Sequence, residues 1–421
     1  MTGTLQQGAP RLSRTRRLPP WAVVLLVYAA TRAWSWFVLV TVARHQGASP
    51  WGVARPGYLE FIGFWDSDWY RQIAEGGYPA DLPASPSGET LPNAWAFYPL
   101  YPALVRAVMG VTGLGWNAAG GTVSLACGAG ASLLLYRLFR RRGEGAGLDR
   151  FALTCTALVL LNPVAPVLQV PYAESLSLML LAGVLLAVLR DRPWTAAVLV
   201  PLACLSRPIG VPLGAMLGIW WCVRAVAAYR QEAAGDDVAA VASRRRRALS
   251  ALCRTRGPLA LALWACACAL GWLFAAWAVT GRPDAYTAAE TAWRGEHLLP
   301  FQPWLEQSLA YLGPLGPLVL VVLVGGFALA LRSRAAVATL PCRLRLWCAC
   351  YLVYLLAFLF PQTSTFRLLL PLFPLAAPLA AASRSRAYRA LLLVGAAIGQ
   401  LVWVGWLWHW QELPGGGDYP P

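Results

Sequence analysis

Long apolar runs broken by short connectors, rich in arginine or proline, dominate this chain from residue 21 onward. The run 21–43 is long enough to cross a bilayer, and the next clear run, 118–139, stops at Arg140, Arg141 and Arg142. Residues 151–170 lead to PYAES (171–175), and 176–189 return to Arg190 and Arg192. Residues 194–205 and 209–226 meet at SRP (206–208), after which 259–279, 315–331, 346–360, 368–382 and 390–410 complete the pattern. The expected fold is all-α, a polytopic transmembrane helix bundle of about eleven spans. The piece 194–205 is short for a span, yet the arginine-rich connectors on either side require an even number of crossings between them. Two short, broken helices meeting near Pro208 satisfy this, as breaks do where they line a cavity. FYPLYPALVRAVMG (97–110) opens with prolines and holds Arg106, which predicts an interfacial or re-entrant helix rather than a full span. Arg32, near the middle of 21–43, must face the bundle interior.

Charge assigns the sides. Arginines concentrate in alternate connectors, the positive-inside pattern, so the net charge of +16 speaks for membrane orientation and not for nucleic acid. Residues 1–20 then form a basic cytoplasmic tail, and 227–257, with RRRR at 244–247, a basic cytoplasmic loop. The first loop, 44–95, faces outward: Glu60, Asp66, Asp68, Glu75, Asp81 and Glu89 outnumber Arg44, Arg55 and Arg71. A second outside loop covers 280–313, and 411–421 is a Gly/Pro tail on the same side. The run 21–43 is too long for a signal-peptide core and has no clear small-residue cleavage site, so it reads as an uncleaved span. Residues 21–410 therefore make one membrane-embedded domain of a multi-pass cell-membrane protein, N-terminus cytoplasmic. A composition 58% hydrophobic and 13% charged agrees. All ten cysteines fall in apolar runs or in loops on the cytoplasmic side, which predicts packing residues and neither a disulfide framework nor a zinc site.

The polar motifs all fall on the outer side. Phe61, Trp65, Trp69 and Ile73 recur every four residues, predicting one interfacial helix with an aromatic stripe, Asp66 on another face and Tyr70 one turn on. Such a carboxylate can meet both a lipid head group and a soluble hydroxyl, making Asp66 the candidate catalytic residue. Asp66 and Asp68 also form a D-x-D; on a helix they point apart, so both grip one Mg or Mn ion only if the segment is a loop. Arg207 and Arg367 stand at outer ends of spans, either snorkelling or holding a phosphate with their guanidinium forks. Glu174 either pairs with one of these arginines or takes part in chemistry, and Arg294 and His297 of AWRGEH are candidate substrate contacts, as are Asp68, Trp69 and Tyr70. There is no Ser-His-Asp set, P-loop or dinucleotide fingerprint.

Taken in order, WD-x-x-WY-x-x-IA-x-x-GYP, AFYPLYPALVR, PYAESL, SRPIGV, AYTAAETAWRG and STFRLLLPLFPL resemble the PIG-V type family of mannosyltransferases, of the GT-C class of polytopic glycosyltransferases. The likeness runs in pieces from about 21 to 380; no motif is specific alone, and Ser206 stands where many relatives have Thr. It implies a GT-C-like fold with a large outer first loop, a polyprenyl-phosphate mannose donor, a lipid or glycan acceptor, and an essential aspartate that maps to Asp66. Without lysine and rich in alanine and arginine, the chain fits a bacterial member, which speaks against a GPI acceptor. The competing expectation is a transporter or flippase of a lipid-linked sugar, which would need neither the outer WD motif nor one-sided polar motifs. No inverted repeat is evident.

Overall fold

The computed structural model describes residues 18–140, 147–233, 241–293, 299–413 and 418–421. Among them the protein is all-helical, and its only β geometry is two isolated bridges in the first loop. Six stretches are long and apolar enough to cross a membrane: Pro20–Ala43, Trp116–Phe139, Gly210–Gln231, Leu249–Thr280, Gln302–Arg332 and Arg386–Trp408. Five shorter apolar helical stretches accompany them: Leu100–Thr112, Arg150–Leu161, Glu174–Leu189, Pro193–Cys204 and Leu370–Ala381. The chain is thus a helical membrane protein in which short apolar helices accompany the long spans, and one of them, Glu174–Leu189, is almost wholly buried.

The order of elements follows the apolar pattern closely. Helix α1 (Pro20–Ala43) precedes a loop holding α2 (Tyr58–Phe61) and α3 (Asp66–Gly76). Helix α4 (Leu100–Thr112) ends on Gly113, whose φ of +73° gives the left-handed cap that lets the chain turn into α5 (Trp116–Phe139). Then come α6 (Arg150–Leu161), α7 (Glu174–Leu189), α8 (Pro193–Cys204), α9 (Gly210–Ala233) and α10 (Val241–Thr280). The remaining helices are α11 (Ala285–Ala292), α12 (Gln302–Leu312), α13 (Gly316–Arg332), α14 (Arg334–Thr339), α15 (Cys342–Phe358), α16 (Thr365–Leu368), α17 (Ala376–Ala381) and α18 (Arg386–Trp403).

At the centre stands α7, apolar on every face beyond its first turn and buried at every residue except Met179 and Leu189, as expected of a helix with no face to give to solvent or lipid. Helices α5 and α8 pack on it. Arg32 of α1 is only 5% exposed, so it does face the interior. Its guanidinium donates to the carbonyls of Leu160 and Ala165, each at 2.6 Å. Helix α6 stops at Leu161 before Pro163 and resumes as a 3-10 turn over Ala165–Gln169, and the break leaves carbonyls without helical partners. Arg32 supplies the donors, so a charge buried in α1 holds a broken helix in place.

Several expectations need correction. The run 151–170 is not one span, because Pro163 and Pro166 divide it into α6 and the 3-10 turn. The segment 227–257 is mostly helix and not loop: α9 continues to Ala233, and the 40-residue α10 begins at Val241, so the backbone of 244–247 lies in α10. The second outside loop, 280–313, contains α11 and α12, and α12 runs on through a 3-10 turn into α13. The stretch 368–382 is likewise split, into a 3-10 segment over Leu370–Leu375 and α17, by its prolines.

The largest correction concerns 61–73. Phe61 closes α2, and α3 starts only at Asp66, so the four aromatic and aliphatic positions do not share one helix. Nor do they form an outward-facing stripe. Phe61, Trp65 and Ile73 are buried, and Trp69 stacks on Phe97 with ring centroids 5.8 Å apart. The regular spacing reflects packing against the bundle, where Trp and Phe bury more area than they could at an interface.

Candidate functional site

Trp65 carries φ +61° and ψ −128°, a backbone geometry that a bulky residue adopts only when its surroundings impose it. Here the ring is fixed: Nε1 donates to the Trp408 carbonyl at 2.9 Å, and the indole packs on Trp51 at 5.0 Å. The turn it forms starts α3 abruptly and puts Asp66 at the first helical position, where the free N–H groups favour a carboxylate. The Asp66 N–H donates to the Tyr172 hydroxyl at 3.0 Å, tying the loop to the PYAES segment.

That segment is held by its own contacts. A methyl group on Gly120 of α5 would come within 2.7 Å of Pro171 Cβ, so only glycine permits this approach. Ser124 of α5 donates to the Val170 carbonyl at 2.7 Å, and Tyr172 packs on Trp408 at 5.3 Å. Glu174, two residues on, begins α7.

Four charged side chains from four distant stretches meet here. Asp66 Oδ2 pairs with Arg367 Nη2 at 2.5 Å, and Arg367 Nη1 reaches Glu174 Oε1 at 3.2 Å. The same Glu174 oxygen accepts from Arg207 Nη2. The order Asp66–Arg367–Glu174–Arg207 alternates in sign, and its two carboxylates balance its two guanidiniums. Arg367 also lies over the Tyr172 ring, 5.1 Å from its centroid. The middle members are deeply buried, Glu174 at 5% and Arg367 at 7% side-chain exposure, whereas Asp66 and Arg207 each keep 18%. The ends of the row are therefore the groups that a ligand can touch. Asp66 Oδ1 and the Nε and Nη1 of Arg207 have no protein partner among the described residues.

These four line one cavity of about 440 Å³ with Tyr70, Tyr98, Tyr286 and Tyr351. Leu178, Leu181, Leu270, Leu273 and Phe358 make the rest of its wall largely apolar. Tyr70, one turn beyond Asp66, stands edge-on to Phe97 and Tyr101. Burial pushes its phenol well above the usual range, so it stays protonated and serves as a donor, not a base.

Of the residues singled out from sequence, Asp66, Tyr70, Glu174, Arg207 and Arg367 come together. Glu174 pairs with both arginines and not with one. Arg367 is not a snorkelling residue but an interior bridge. Asp68 stands apart: on the surface of α3 it accepts from Arg71 at 2.5 Å and Gln72 at 2.9 Å. Both aspartates lie on one helix, so the loop geometry that a shared ion would need is not present. Trp69 packs between Phe97 and Trp293 behind the cavity wall. Arg294 and His297 lie outside the described residues. Tyr172, Tyr286, Glu290 and Trp293 belong to the site's surroundings and were not singled out as site residues, although Tyr172 lies inside PYAES and the other three inside AYTAAETAWRG.

The fold and site define a class: a helical membrane protein with a buried, charge-balanced row opening into an apolar-walled cavity. Comparison with known proteins adds no identity, since no family model and no curated protein matches the chain.

Proposed function

We propose that the protein is an integral membrane glycosyltransferase of GT-C type, with about eleven crossings, that transfers mannose from a polyprenyl-phosphate donor to a hydroxyl of a lipid or glycan acceptor on the outer face. The observation that carries this reading is the row Asp66–Arg367–Glu174–Arg207, which offers an unengaged carboxylate oxygen at one end and unengaged guanidinium donors at the other. A hydroxyl to be deprotonated and a phosphate to be stabilised need those two groups, and the apolar wall suits a prenyl tail.

Asp66 Oδ1 takes the proton of the acceptor hydroxyl as its oxygen bonds to the anomeric carbon. The bond from that carbon to the phosphate oxygen breaks from the opposite face, so the configuration inverts. The electron pair stays on the polyprenyl phosphate, facing Arg207, and such a leaving group needs charge stabilisation more than a proton. Arg367 holds Asp66 in place through Oδ2 and leaves the other oxygen for the transfer.

Membranes containing the full chain, given radiolabelled polyprenyl-phosphate mannose and a panel of lipid and protein acceptors, test the proposal. Asp66→Asn keeps the shape and lowers transfer by about 10²- to 10⁴-fold, the range for a lost general base. Asp68→Asn, bonded only on its own helix, leaves transfer near normal. Normal transfer by Asp66→Asn refutes the base. Movement of the lipid-linked sugar across the bilayer without a transfer product makes the chain a transporter instead.

A further inference from the structure

The last span does not end as an α-helix. After α18 the chain continues in a π turn over Val404–Trp408, closed by the His409 N–H donating to the Val404 carbonyl at 2.9 Å. On an α-helix, residues five apart point about 140° away from each other. Across this turn Trp403 and Trp408 instead meet, with ring centroids 5.9 Å apart. The wider turn thus brings Trp408 onto the face that Trp403 already occupies, and both rings are buried. Single π turns within helices are rare and recur at functional sites.

Trp408 is fully enclosed, and three contacts tie it to the backbone around Asp66. Its indole N–H donates to the Phe61 carbonyl at 3.1 Å, at the end of α2. Its own carbonyl accepts from Trp65 Nε1 at 2.9 Å, just before α3. Its ring lies 5.3 Å from that of Tyr172, whose hydroxyl accepts from the Asp66 N–H and over which Arg367 lies. Trp408 therefore grips both ends of the turn that leads into Asp66, and backs the ring that meets Asp66 and its ion-pair partner. The turn needs such a hold, because a bulky residue at φ +61° keeps that geometry only where its surroundings impose it. We propose that Trp408, set by the π turn, is a positioning residue for Asp66, fixing the direction of the carboxylate in the cavity. This deepens the transferase reading and rests on it. Trp403 supplies the contrast: it packs on Trp408, yet its indole N–H has no partner among the described residues.

The test pairs Trp408→Phe with Trp403→Phe in the full chain in lipid nanodiscs; each keeps an aromatic ring and removes one indole N–H. Amide hydrogen exchange over 61–67, read by mass spectrometry, reports the turn, and exchange over 174–189 reports the bundle centre. Trp408→Phe speeds exchange over 61–67 by roughly 3- to 10-fold, the scale of one lost hydrogen bond, and leaves 174–189 unchanged. Trp403→Phe changes neither. With radiolabelled polyprenyl-phosphate mannose, Trp408→Phe lowers kcat by about 10- to 100-fold at an unchanged donor KM, as a displaced catalytic group does and a lost binding contact does not. Trp65→Phe removes the other hydrogen bond and gives the same pair of effects, which covers a failure of either variant to fold. Unchanged exchange over 61–67 in both variants, or faster exchange there with an unchanged kcat, overturns the positioning role. Faster exchange that extends equally to 174–189 also overturns it, since Trp408 is then a general packing residue. The local change in exchange, in a protein that transfers no mannose, overturns the transferase reading and leaves Trp408 as the residue that holds Asp66.

Discussion

Glu174→Gln is the sharpest perturbation of the charged row, because a single oxygen of that side chain accepts from both arginines. The amide keeps the volume but removes one of the two negative charges, so a balanced row becomes a net cation in a site whose centre is only 5–7% exposed. Removing one partner of a buried ion pair destabilises by about 3–5 kcal/mol, chiefly because the other charge stays behind uncompensated. Two features of the geometry place this case near the lower end. Arg367 keeps Asp66 at 2.5 Å, and Arg207, at 18% exposure, can turn its guanidinium toward the cavity. A loss of about 3 kcal/mol lowers the folding equilibrium roughly 100-fold. In the double variant Glu174→Gln/Arg207→Gln both charges of the outer pair are absent, so its loss is smaller than the sum of the singles by about 1–3 kcal/mol.

The chain carries its own reporters for this measurement. Cys127, Cys155, Cys204, Cys348 and Cys350 are buried thiols, whereas Cys222, Cys253, Cys266 and Cys342 are exposed. With the exposed set replaced, a thiol-reactive fluorophore reads unfolding during a denaturant titration in micelles. Glu174→Gln unfolds at lower denaturant than wild type, and the double variant loses less than the two single variants summed. A wild-type midpoint for Glu174→Gln, or strict additivity in the double variant, would refute the claim that Glu174 bridges two buried arginines.

Arg207→Lys keeps a charge but loses the fork, so donor affinity falls while stability is retained; Arg367→Lys cannot span Asp66 and Glu174 together and lowers stability as well. Donor titration of both variants, paired with the thiol assay, separates these outcomes. Gly120→Ala drives a methyl group against Pro171, 2.7 Å away, and overpacking of this kind destabilises by about 1–3 kcal/mol, readable in the same thiol assay. Ser87→Cys and Arg384→Cys, each in a background without exposed native cysteines, label from opposite sides of the membrane. Labelling of both from one side would contradict the alternation of basic and motif-bearing connectors.

The apolar runs located the helices well wherever a run was uninterrupted, as in α1 and α5, because length and hydropathy alone decide whether a segment can cross a bilayer. They failed where prolines divide a run. Pro163 and Pro166 cut 151–170, and the prolines of LPLFPL cut 368–382, so short helices occur where spans were expected. Those breaks are tolerable inside the bundle because other side chains satisfy the freed carbonyls, as Arg32 does at Leu160 and Ala165. The need for Arg32 to face inward was legible; its partner was not, since Pro163 marks a break in the run but not which side chain supplies donors to the carbonyls it frees.

For the site, alternation of sides was the useful signal. Asp66, Glu174, Arg207 and Arg367 lie up to 301 residues apart, yet each was expected in a connector on the outer side, and all four are in one ion-paired row. Contact between those connectors requires them to share one end of the bundle. The Asp191–Arg343 pair at 2.9 Å joins connectors at the other end of α7, as the same alternation demands. Pairing itself was beyond the pattern, because periodicity assigns a side to a residue and not a neighbour. The aromatic stripe at 61–73 misled for a related reason: spacing of four fits a helical face, but the left-handed turn at Trp65 is held by Trp51, earlier in the same loop, and by Trp408, 343 residues on. That turn starts α3 at Asp66 and sends Asp68 to the surface, so a tertiary contact, and not the D-x-D spacing, decides which aspartate faces the cavity.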